Sequence, residues 1–154
     1  MDFILGTAIG GLASFATLIP AIITELFNRH RSVDRPLFVD LQDIWGQKYN
    51  RNELFFIAIV VHLFLGMLFG LIYPIFAVNE WLYITHNPYT FESLLVYSLH
   101  AWLVVMVIIF PALGFGFFGR REGKLVWIET LLSMLIIGVL MQIAVSFYQP
   151  YFFS

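Results

Sequence analysis

The stretch from Glu53 to Val78, ELFFIAIVVHLFLGMLFGLIYPIFAV, constrains the fold of this chain more than any other. It is apolar for longer than the ~20 residues that a helix needs to cross the hydrocarbon core of a bilayer. Past Glu53 at its edge, its one ionisable residue is His62, one turn before a Gly66-x-x-x-Gly70 pair. In a helix, Ala58, His62, Gly66 and Gly70 form an i, i+4 row. The imidazole and both glycines therefore share a face, and that face is expected to meet another helix. Tyr73 and Pro74 lie near the far end of the row.

Three further segments have the same character, giving spans at about 3–27, 53–78, 93–118 and 125–148. They leave no room for a separate soluble domain. The chain is 60% hydrophobic and 12% charged, against ~25% charged in an ordinary soluble domain. The pattern predicts an all-α, polytopic membrane protein, with four transmembrane helices in one antiparallel bundle and a single domain over 1–154. A net charge of −2 gives no footprint for nucleic acid. The absence of cysteine removes disulfides, thiolate metal sites and cysteine nucleophiles.

The first span has neither a basic segment before it nor a small-residue cleavage signal after it, and reads as a retained helix rather than a signal peptide. Its small and hydroxylated residues, Gly6, Gly10, Ala13, Ser14, Thr17, Ala21 and Thr24, fall within an arc of roughly 100°. In lipid such seams bring helix backbones close together. The seam packs either within the bundle or against a second protein. Pro20 is placed to kink this helix. Residues 28–52 form a basic loop, in which Leu37, Leu41 and Ile44 share one side of a short helix lying at the membrane surface; an ordinary connecting loop is the alternative. In the next loop Trp81, Tyr83 and Tyr89 read as interfacial anchors, and Asn87-Pro88 as a turn.

On the third span Tyr97, His100, Val104, Val107, Pro111 and Gly114 share a broad face, with Gly114 counted, like Gly66 and Gly70, as a packing residue. The glycine-rich run GFGFFGRREGK that follows does not come after a strand. It reads as a helix end meeting a short basic turn beside lipid headgroups, not as a phosphate loop.

All eight basic residues lie in the first and third loops. The positive-inside rule places those loops in the cytoplasm and both termini on the other side, as four spans require.

Two constellations bear on chemistry. His62 lies roughly 13 Å from one end of its span and His100 roughly 10 Å from the opposite end of an antiparallel neighbour, so their levels differ by only ~5–10 Å. Two imidazoles on facing helices are the arrangement that ligates haem from both sides; the alternative is that each bonds a neighbouring helix and fixes packing. Glu25 and Glu129 sit near the cytoplasmic ends of the first and fourth spans. They form either a proton path with His62 or ion pairs with Arg29, Arg120, Arg121 and Lys124 at the headgroup level. Soluble-type catalysis has no motif here: no G-x-S-x-G, no H-E-x-x-H, no Walker loop. No metal site, resident cofactor or enzymatic activity is expected.

The segments GTAIGGLASFAT, HLFLGMLFGLIYP and FPALGFGFFGRREG resemble the YagU-like group of small bacterial four-span inner-membrane proteins. The resemblance implies a compact four-helix protein of the bacterial inner membrane and brings no assigned activity. The chain holds 17 Phe, 7 Tyr and 4 Trp, more aromatic surface than a four-helix bundle can bury within itself. The expectation is therefore a non-catalytic integral subunit or accessory protein, packing against lipids and other integral membrane proteins in a larger hetero-oligomeric complex. The alternatives are a haem-binding electron-transfer subunit using His62 and His100, and a small proton- or solute-conducting oligomer around His62 and Glu129.

Overall fold

The structure is a computed structural model that describes residues 3–28, 43–44, 47–48, 51–81, 89–121 and 123–152. Among the described residues it is helical apart from one pair of two-residue strands and the turns between helices. The helices are α1 (Phe3–Asn28), α2 (Arg51–Val78), α3 (Phe91–Val104), α4 (Phe110–Ala112) and α5 (Val126–Phe152). A π turn, Val105–Ile109, joins α3 to α4, so the third span is one helix from Phe91 to Ala112. Four helices are thus long and apolar enough to cross a membrane, and the chain is multi-pass.

The π turn follows from Pro111. Proline lacks an N–H, and its ring crowds the carbonyl four residues back. The helix widens to absorb the misfit: the Phe110 N–H bonds the Val105 carbonyl, five residues behind it. The third span then stops at Ala112 rather than running to Phe118. Gly114 takes the left-handed conformation, φ +89°. Phe115 N–H returns to Phe110 O at 2.9 Å and Gly114 N–H to Pro111 O at 3.1 Å. These two bonds satisfy carbonyls that a helix end otherwise leaves bare. Gly114 is therefore a stop residue, not a packing residue: a Cβ built on it meets nothing within 4 Å.

The first loop also differs from expectation. Asp43–Ile44 pair antiparallel with Gln47–Lys48, Asp43 opposite Lys48 and Ile44 opposite Gln47. A surface helix through Ile44 is excluded there, because Ile44 is spent on a tight hairpin. The rest of that helix, 36–42, lies outside the described residues, as do Tyr83 and Asn87-Pro88.

Packing is between sequence neighbours. The backbone of α1 runs against α2, that of α3 against α5, and α1 also touches α5. The approach of α1 to α2 is closest at their glycines. A Cβ on Gly10 would stand 2.8 Å from the Cα and N of Gly70 and collide with Gly66 O; one on Gly6 would stand 2.7 Å from Gly70 O. The seam thus closes within the chain, Gly6 to Gly70 and Gly10 to Gly66, in antiparallel register. Ala21 lies further along α1, and its side chain is outside the described residues. Across the other pair, Gly138 of α5 makes room for the buried Ser98 of α3, whose hydroxyl donates to Leu94 O at 2.7 Å. The interior is filled by Tyr73, Leu94, Met106, Met141 and Val145, all almost fully buried.

Candidate functional site

Two clusters of side-chain hydrogen bonds tie α2 to its neighbours, with one histidine an exception to both. The first is the α1–α2 seam. Ser14 follows Gly10 by one turn, and its hydroxyl donates to the His62 carbonyl at 2.9 Å. Thr17 Oγ1 lies 2.9 Å from His62 Nε2 and also 2.7 Å from Ser14 O. A carbonyl accepts only, so the one threonine proton goes to Ser14. The ring then donates, which places the imidazole hydrogen on Nε2. His62 is half-buried and its Nε2 is committed to α1.

The second place lies where α2 approaches the start of α3. Thr90 caps α3 through Ser93 N–H, at 3.3 Å. Ser93 Oγ donates to Thr90 O at 3.0 Å, and the fully buried Tyr73 hydroxyl lies 2.6 Å from Ser93 Oγ. The same phenol accepts the Tyr89 N–H at 2.6 Å. The protons therefore run one way: Tyr89 N–H to Tyr73, Tyr73 O–H to Ser93, Ser93 O–H to Thr90. Tyr97 adds a bond to Phe69 O at 2.9 Å. The rings of Tyr73, Tyr89, Tyr97, Phe69 and Phe76 pack around it, tilted or edge-on, with centroids 4.6 to 5.3 Å apart. Tyr89 is thus a core residue and not an interfacial anchor: only 5% of it is exposed. A threonine three residues before a serine at a helix start was a readable capping signal; its link to Tyr73 was not readable.

The exception is His100. It does not share a face with Tyr97, which is buried; His100, Val104 and Val107 are exposed. Its Nδ1 donates to Val96 O at 2.8 Å on its own helix. In the neutral ring that leaves Nε2 an acceptor, on an exposed side chain, with no hydrogen bond to any described residue. The two imidazoles therefore serve different faces: His62 bonds α1, and His100 lies on an exposed face of α3.

Glu129 is exposed in the first turn of α5 and forms no ion pair among the described residues. The Glu25 side chain and Arg29 lie outside them. Among the described residues no group of three or more histidines and carboxylates is placed to hold a metal ion. Comparison of the chain with family models, curated proteins and solved structures gives no match.

Proposed function

We propose that this protein is a non-catalytic membrane subunit that docks, through the His100 face of its third span, onto another integral membrane protein in a larger assembly. The position of His100 carries this reading. It lies nine residues after Phe91 in a 22-residue span, about 14 Å along a helix of roughly 33 Å. That is near the bilayer midplane, where hydrocarbon offers no hydrogen bond. Ionisable side chains at such depth almost always face the interior of a bundle or a water-filled cavity. Here the ring faces out, with a free acceptor nitrogen among exposed Leu99, Leu103, Val104, Val107 and Ile108. A partner helix that brings a hydroxyl, amide or indole donor to this level satisfies the nitrogen and covers the apolar strip together. The seam of α1 is not available for that purpose, because α2 fills it.

Photo-crosslinking in intact membranes tests the reading. A benzophenone amino acid in place of His100 is expected to give one discrete protein adduct, whereas the same group at Ile136, an exposed α5 position, gives lipid adducts only. Equal, diffuse labelling at both positions overturns the proposal. An adduct of twice the chain's own mass replaces the second protein by a second copy.

We propose an orientation on the charge bias of the loops: the basic first and third loops face the cytoplasm and both termini the opposite side, in a bacterial inner membrane by the resemblance to YagU-like proteins. Reporter enzymes active only outside the cytoplasm are expected to be active at both termini and inactive in 113–125. Activity of the fusion in 113–125 reverses the assignment.

A further inference from the structure

The turn between the third and fourth spans covers an open cleft of about 620 Å³, lined by Trp102, Phe118, Arg120, Gly123, Lys124 and Trp127. Sites for small molecules span ~300–1,000 Å³. The wall is aromatic and fixed. Trp102 and Phe118 meet edge-on at 5.8 Å, and the Trp102 indole N–H, its only donor, is bound to Trp127 O at 3.0 Å. This bond ties the third span to α5 at the cleft's inner end.

The turn itself has a defined shape. Gly116, Phe118 and Gly119 all take positive φ, at +76°, +56° and +64°. Gly119 is wedged under Phe110 and Val126, where a Cβ would stand 3.1 and 2.7 Å from their side chains. The three cations of this turn divide by what they touch. Arg121 belongs to the turn: its guanidinium donates to Gly114 O and its backbone N–H to Phe115 O, both at 3.2 Å. Arg120 and Lys124 are exposed, line the cleft, and form no ion pair among the described residues.

We propose that this cleft binds a phosphate carried on an amphiphile, namely an anionic phospholipid. The phosphate sits between Arg120 and Lys124, and the upper hydrocarbon lies on Trp102, Phe118 and Trp127. A free anion leaves three aromatic rings without a role, and an uncharged apolar ligand leaves two cations without one. An anionic lipid uses both, at the end of two membrane-crossing helices where basic pockets collect such headgroups. Each cation near the membrane surface favours an anionic lipid by roughly five-fold, and the two together by roughly thirty-fold.

The full chain in phosphatidylcholine nanodiscs tests this. Phosphatidylglycerol with brominated acyl chains quenches any indole it contacts. It is expected to quench tryptophan emission more than the same fraction of brominated phosphatidylcholine, with part of the excess lost in Trp102→Phe and the rest carried by Trp127. Arg120→Gln with Lys124→Gln is expected to remove the excess, and Lys124→Gln alone, the milder change, to weaken lipid binding by roughly five-fold. Circular dichroism checks that each variant keeps its helices. Equal quenching by the two lipids overturns the proposal, as does an excess that survives the folded Arg120→Gln with Lys124→Gln variant. Inorganic phosphate that abolishes the excess at matched ionic strength assigns the cleft to a free anion and overturns the lipid.

Discussion

Gly10→Leu is expected to separate α1 from α2 and to lower the stability of the purified protein by about 3 kcal/mol or more, the upper end for an overpacked interior. The reason lies in what the new side chain meets. Around Gly10 the nearest atoms belong to the backbone of Gly66 and Gly70, which has no rotamer with which to give way. Relief requires moving α2 bodily, and that movement also breaks the Ser14 bond to His62 O and the Thr17 contact with its ring. The adjacent glycine supplies the control. A Cβ on Gly11 stands 3.1 Å from Cγ of Met67, a flexible side chain, so Gly11→Ala is expected to leave stability within about 0.5 kcal/mol. Denaturation in mild detergent, followed by helical circular dichroism, reads both. A Gly10→Leu protein as stable as the parent means that the helices do not meet where the glycines place them.

Tyr73→Phe is expected to cost about 1–3 kcal/mol, although it removes a single oxygen. That oxygen serves two partners. Without it the buried Tyr89 N–H loses this acceptor, and Ser93 Oγ loses the phenol's proton. Tyr97→Phe removes one bond only, to a carbonyl of Phe69 that lies inside α2. A helical carbonyl keeps its own ladder bond, so the loss is expected near ~0.6 kcal/mol, the average for side-chain bonds between membrane helices. The two phenols touch edge-on at 5.2 Å, so burial and ring packing are similar and the contrast isolates the orphaned amide. Unfolding curves for the two variants settle it: equal losses mean that the Tyr73 hydroxyl does not bridge the second loop to α3.

The four helices were legible because lipid imposes one demand, uninterrupted apolar length, and the chain meets it four times. The glycine seams were legible for a similar reason: an i, i+4 row of small residues has little use except close approach. The choice of partner was not written there. Gly6, Gly10 and Ser14 suit any helix of matching spacing, and the fit to Gly66 and Gly70 appears only in the packed structure. Gly114 misled because a packing glycine and a helix-ending glycine look alike in one dimension; Pro111 three residues earlier held the clue. Tyr89 misled because an aromatic in a loop between two spans sits equally well in headgroups or in a core. His62 and His100 were matched by their level in the bilayer, but which way a ring faces is set by rotation about the helix axis, about 100° per residue, and His100 is turned to the exposed side of α3. Trp102 and Trp127 carried no signal, since their meeting depends on how the 113–125 turn folds back.

The pairing of α1 with α2 and of α3 with α5 has a consequence for how the polypeptide is made. Each pair is contiguous along the chain, so each can leave a translocation channel as a hairpin whose backbone is bonded within its helices, with the Tyr73 and Tyr97 hydroxyls left to bond across the pairs. The first hairpin, with His62 shielded by Thr17, is complete before the second emerges. What remains is lateral docking in the bilayer, sealed by the phenols of Tyr73 and Tyr97 and by α1 against α5. On this order of assembly the segment between Val78 and Phe91 is the natural halfway point, and damage to the tyrosines is expected to leave two inserted halves that have not joined.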